Sequence, residues 1–323
     1  MMEFIEIMRC IAAVSVLNSH YDDVYPVPLD GGGEFGLAIF FLLSGYLSVN
    51  INNETRFHKW IIKRVMRMYI PIFIWQLLLI FVTSEELISG KEILSRFIYP
   101  TNYWFVSYMV IVYIAYYLIY KFIYMKYDTK GVKYLLITLL IIFTVLYFMR
   151  VDFSRYCMQT YSVYAKILWL FCSVLGLYLR KNINIKCEKR NKKIYQIVLF
   201  FCMYGLMKIV MKFAQIHTDL FYIQCFVTIF AILCTVCMFL YLRKADEQLR
   251  KIKNIRWIDG IIEMISKSSM ELYIVQFFFI DVFADFFFPL NWLLITVTAI
   301  MTGYLLHRIS NKIMGRVMKR GQG

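Results

Sequence analysis

The chain has 323 residues, is 61% hydrophobic and 18% aromatic, and carries a net charge of +15 at a mean hydropathy of +0.62. That surplus of apolar side chains excludes a water-soluble globular domain and assigns the chain to a bilayer. Anionic headgroups account for the positive charge, so no nucleic-acid partner is implied.

A crossing helix needs about twenty mostly apolar residues, fewer when its polar ends reach the interface. Ten segments qualify, near residues 4–20, 35–50, 68–83, 103–123, 133–149, 161–179, 194–213, 219–242, 269–288 and 290–307. The expected fold is all-α, a polytopic membrane helix bundle with about ten transmembrane helices. The first segment has no basic n-region and is interrupted by Glu3, Glu6 and Arg9, so it reads as a retained helix and not a signal peptide. No linker, low-complexity tract or repeat stands out, which points to one integral domain over 1–323 without a soluble appendage.

Lys and Arg set the orientation, because short translocated loops are poor in them. Of the 36, 28 fall in the second, fourth, sixth and eighth connections and the C-terminal tail; the odd connections hold Lys91, Arg96, Arg150, Arg155 and Lys212. Both termini are therefore expected on the cytoplasmic side.

In chain order, "EIMRCIAAVSVLNSH" places Glu6, Arg9 and His20 in the first span. Charge inside a span usually faces a bundle interior or a wet cavity. His20 lies eleven positions after Arg9, about three turns, so both fall on nearly one face with a rise of roughly 16 Å between them. Glu6 is one turn before Arg9 and placed to pair with it. Histidine suits a general base, its unperturbed pKa being about 6.5, and Asp22 and Asp23 follow closely enough to orient it. Alternatively, Glu6 and Arg9 snorkel to the interface while His20 caps a helix in the outer headgroups.

The next span, "GGGEFGLAIFFLLSGYLS", holds Ser44 and Gly45 deep in an apolar run, where small residues admit a second backbone or a ligand. In "RFHKWIIKRVMRMYIP", Arg64 and Arg67 lie one turn apart at a cytoplasmic mouth. Two guanidiniums at that spacing can clamp phosphate oxygens, although the positive-inside rule alone would also put them there. His58, His217 and His307 lack a comparable partner pattern. Tyr21, Asp22, Tyr25, Asn102 and Tyr103 give outer loops able to stack on a sugar. The eight cysteines lie mostly in apolar runs and read as small buried hydrophobes, the Cys234/Cys237 pair included. No HExxH, GxSxG, Walker A or GxGxxG occurs, and no metal set is apparent.

These segments together resemble the acyltransferase-3 family of bacterial integral-membrane acyltransferases. Arg9 and His20 with ten residues between them resemble its amino-terminal signature, "GLAIFFLLSGYL" its second helix, and "KRVMRMYIP" its paired arginines and proline. "YWFVSYMVIVYIAYYLIY" is similar to its aromatic fourth helix and "SSMELYIVQFFF" to its penultimate helix. Glu6 stands where aspartate is common, Ala38 where an acid is frequent, and Gln276 where a histidine is frequent, so Gln276 is left outside the catalytic set.

The resemblance implies transfer of an acyl group, usually acetyl from cytoplasmic acetyl-CoA, to a hydroxyl of a surface glycan or its lipid-linked precursor in the inner membrane. Arg64 and Arg67 would hold CoA phosphates and Ser44 would line the path. Arg9, backed by Glu6, would steady the thioester end, and His20 would deprotonate the acceptor. Direct attack and a covalent relay both remain open. The competing reading is a transporter or flippase for a glycan precursor.

Overall fold

The computed structural model describes residues 2–320 except 22–23, 25–31, 49–50, 52–53, 84–88, 99–102, 183–192 and 217. Asp22, Asp23, Tyr25, Asn102 and His217 therefore lie outside the described residues. Among those described, the regular elements are helices only. In lipid this is what long apolar runs must form, because a helix satisfies its backbone hydrogen bonds within itself.

The α-helices are α1 (Glu3–Asn18), α2 (Gly33–Leu47), α3 (Phe57–Thr83), α4 (Gly90–Ile93), α5 (Trp104–Leu118), α6 (Met125–Arg150) and α7 (Val163–Asn182). There follow α8 (Lys193–Ile216), α9 (Cys225–Lys244), α10 (Asp246–Lys253), α11 (Arg256–Lys267), α12 (Ser269–Phe283) and α13 (Leu290–Arg320). Each apolar segment read from the sequence is helical over most of its described residues, and the chain is an all-α helical bundle. Among the described residues, six helical stretches are long and apolar enough to cross a membrane. One of them, Trp104–Arg150, has 47 residues and would extend about 70 Å if straight, more than twice a hydrocarbon core. It is broken at Asp128, whose φ of 51° and ψ of −148° interrupt the helical path. α1, α2 and α12 are shorter, at 16, 15 and 15 residues.

The helices form two compact units. The first comprises Met1–Met8, Glu34–Asn53 and Ala115–Ile255. Its tightest seam joins α2 to α7: a Cβ on Gly45 would stand 1.7 Å from the Ser173 carbonyl oxygen, and one on Gly176 would stand 2.1 Å from that of Leu42. Only glycine permits that approach of two backbones. Phe41 stacks on Trp169 at 5.6 Å beside it. Phe4, Tyr46 and Phe239 form an edge-to-face cluster with centroids 5.0–6.2 Å apart. The loop between α6 and α7 is held by Gln224, whose Oε1 accepts from the amides of Cys157 (2.5 Å) and Met158 (3.0 Å) and whose Nε2 donates to the Arg155 carbonyl.

The second unit comprises Arg9–Gly33, Glu54–Ile114 and Arg256–Gly323. α12 and α13 pack closely at Gly303, where an added Cβ would meet the Leu272 backbone at 3.0 Å. Trp75 of α3 lies against Phe278 and Phe279 of α12. The chain after α1 is fastened to α13 by two bonds, from the Asn291 amide to the Val24 carbonyl (2.8 Å) and between Tyr21 and Thr296 hydroxyls (3.0 Å).

Candidate active site

α1 ends at Asn18, and Ser19 turns its hydroxyl back onto the Val16 carbonyl at 2.8 Å. His20 follows, half-buried, with its ring 5.0 Å from Phe277 and 6.2 Å from Tyr273. Phe277 is eight residues into α12, about 12 Å from its first residue. The imidazole thus packs against the middle of α12. Tyr103 extends the same aromatic wall, with centroids 6.0 Å from Tyr273 and 6.5 Å from Phe277. Its hydroxyl donates to the Ile274 carbonyl at 3.1 Å and accepts from Gln76 Nε2 at 3.4 Å. A histidine in such a wall is shielded from bulk water on that side, and the bonds from Tyr21 and Val24 to α13 fix the segment that carries it.

Arg9 is half-buried on α1 and belongs to the same unit as His20. Arg64 and Arg67 are also in this unit, on α3. The Arg64 guanidinium lies 3.7 Å over the Trp60 ring and 5.5 Å from that of Tyr113, and its Nη1 donates to the Trp60 carbonyl. Residues four apart share a helix face, which is why Trp60 and Arg64 stack. The stack pre-orients a planar, permanently charged donor. Arg67, one turn on, is exposed.

Glu6 and Ser44 are in the other unit. Glu6 pairs with Lys253 at the end of α10, which also holds Glu3 at 2.6 Å. Asp246, opening α10, accepts from the Phe4 amide at 2.8 Å. The first turn of α1 is therefore clasped by α10, with a carboxylate at the positive end of its dipole. Helical spacing placed Arg9 one turn from Glu6; Lys253, 247 residues away, is a partner that spacing could not reveal. Ser44 is half-buried beside Gly45, and Gly45 serves the contact with the α7 backbone.

One constellation in the second unit was not anticipated. His307, set aside in the sequence, is 8% exposed; its Nδ1 lies 2.9 Å from Oε1 of Glu271, itself 4% exposed. Asn311 Nδ2 lies 2.7 Å from His307 Nε2. With the Asn311 amide donating to Nε2, the proton resides on Nδ1 and is donated to the carboxylate. The i,i+4 spacing of His307 and Asn311 was visible in "HRISN", but Glu271 is 36 residues upstream and nothing local links it to them. Among the described residues, no group of three or more His, Cys, Asp or Glu gathers as a metal site.

Comparison with curated proteins and with solved structures found no match. The sequence profile described as "Acyltransferase domain" matches residues 2–306, nearly end to end and through both units. With helices able to cross a membrane and a profile match of that extent, the chain belongs to the acyltransferase-3 family and is a multi-pass membrane acyltransferase.

Proposed function

We propose that the chain is an O-acetyltransferase of the bacterial inner membrane, with both termini cytoplasmic. It would move an acetyl group from cytoplasmic acetyl-CoA to a hydroxyl of a surface polysaccharide or its lipid-linked precursor. His20 is the general base: it takes the acceptor's proton while the oxygen attacks the thioester carbonyl, and the C–S bond breaks to release CoA. Arg64 and Arg67 bind the CoA phosphates, and Arg9 steadies the donor's reactive end. Glu6, held by Lys253, is a positioning residue that fixes the start of the helix carrying Arg9. Ser44 is assigned to the lining of the path.

The observation that carries this reading is the setting of His20: one basic group against Tyr273 and Phe277, on a segment tied to α13 at Tyr21 and Val24. General-base catalysis by a positioned histidine contributes about 10²- to 10⁴-fold. The test is NMR of purified surface glycan from a deletion strain complemented with wild type or His20→Ala. Wild type should restore the O-acetyl signals and His20→Ala should not, at equal membrane levels. Full acetylation by His20→Ala would overturn the assignment of the base. A transporter would instead act without consuming acetyl-CoA, so acetyl-CoA-dependent release of CoA by the purified wild-type protein decides between the two.

A further inference from the structure

Gln276 lies in the most deeply buried stretch of α12: Glu271, Leu272, Tyr273, Ile274, Val275 and Gln276 are all buried, and Gln276 is 0% exposed. Neither Oε1 nor Nε2 of its amide has a hydrogen-bond partner among the described residues. The contrast with its surroundings is informative. Two residues back Tyr103 satisfies the Ile274 carbonyl, and another buried glutamine of this unit, Gln76, donates to Tyr103. A buried amide left unpaired costs more than its hydrogen bonds return, and an apolar side chain of similar volume would remove that cost. Retaining an amide here makes sense where something supplies both a donor and an acceptor when bound.

We infer that Gln276 is a binding group for the acyl donor, pairing with an amide of its pantetheine arm; this rests on the acetyl-CoA reading above. Two properties select that partner. An unpaired amide has no charge to offer and complements a neutral group presenting one N–H and one C=O, as a second amide does. Position gives the other. In the proposed orientation α12 enters from the cytoplasm at Ser269, so Gln276 is about 10 Å inward, seven residues along. CoA held by its phosphates at the mouth brings its neutral arm, with two amides, to that depth. Phe277, next in the chain, touches the His20 ring, so an arm passing Gln276 carries its thioester toward the base.

Titration calorimetry on the purified full chain in nanodiscs, with coenzyme A and separately with 3′,5′-ADP, which lacks the arm, tests this. Gln276→Leu should weaken coenzyme A by about 10- to 100-fold and leave 3′,5′-ADP unchanged. The ligand-free variant should melt no lower than wild type, since the orphaned amide is gone. Gln276→Met serves as a second variant should the leucine insert poorly. Equal coenzyme A affinity in variant and wild type overturns the inference while leaving the acyl-donor reading intact. Loss of both ligands with a lowered melting temperature also overturns it, showing a structural residue. A wild type that binds neither ligand refutes the acetyl-CoA reading itself.

Discussion

Gly45→Ala is the sharpest test of how α2 is held. The new Cβ would lie 1.7 Å from the Ser173 carbonyl oxygen, 2.7 Å from its carbon and 3.2 Å from the Ser173 Cα. The first distance is about 1.3 Å short of the 3.0 Å that real Cβ contacts observe. All three obstacles are main chain, so no rotamer change relieves them, and α2 must back away from α7. Retreat loosens the Phe41–Trp169 stack and the bond from the Cys172 thiol to the Ala38 carbonyl, at 3.2 Å. Overpacking of this kind costs about 3 kcal/mol, at the upper end of the usual range because backbone, not side chain, must yield. Thermal unfolding followed by size-exclusion fluorescence in detergent reads the effect. An unchanged melting temperature would refute the contact, and rescue by Ser173→Gly would refute its main-chain origin.

Substitutions at two further positions probe the second unit. Glu271→Ala leaves the His307 Nδ1–H buried without its acceptor and should lower stability by about 1–3 kcal/mol, whereas Glu271→Gln keeps an acceptor oxygen and should lose less; melting temperatures of both variants measure the difference. Arg64→Ala should raise the KM for acetyl-CoA by about 10- to 100-fold, the loss of a charge-assisted bond to phosphate. Arg64→Lys should recover only part of this, because an ammonium neither forks onto phosphate nor stacks on Trp60 in the same way. Wild-type KM in Arg64→Ala would remove the residue from the donor site.

The helical character of the ten apolar runs was legible because lipid leaves a continuous apolar chain no other way to pair its backbone. Their ends were not. α3 begins at Phe57, eleven residues before the apolar run that revealed it, and α13 continues to Arg320, past an apolar run ending near 307. Basic turns such as "HKWIIKRVMR" continue a helix into the interface, where hydropathy no longer registers it. For the same reason α10 and α11 were invisible: "DEQLRKIK" reads as a charged connection, and its folding is marked by contacts with Glu3, Glu6 and Phe4 from the far end of the chain. The candidate polar residues divided along similar lines. Arg9, His20 and the arginine pair stood out because charge in an apolar context is costly, while Glu271 and His307 derive their meaning from each other across 36 residues.

Gln224 has a consequence for how this protein can drift in sequence. One side chain reads three main-chain groups of the loop between α6 and α7, at Arg155, Cys157 and Met158, and none of their side chains. Every residue other than proline offers the same amide and carbonyl. Positions 155 and 157, whose side chains are not buried, can therefore vary widely in chemistry without releasing the loop. Position 224 cannot, since only a carboxamide of that length accepts twice and donates once. The tolerance of these loop positions is thus bought by the intolerance of one buried residue far along the chain.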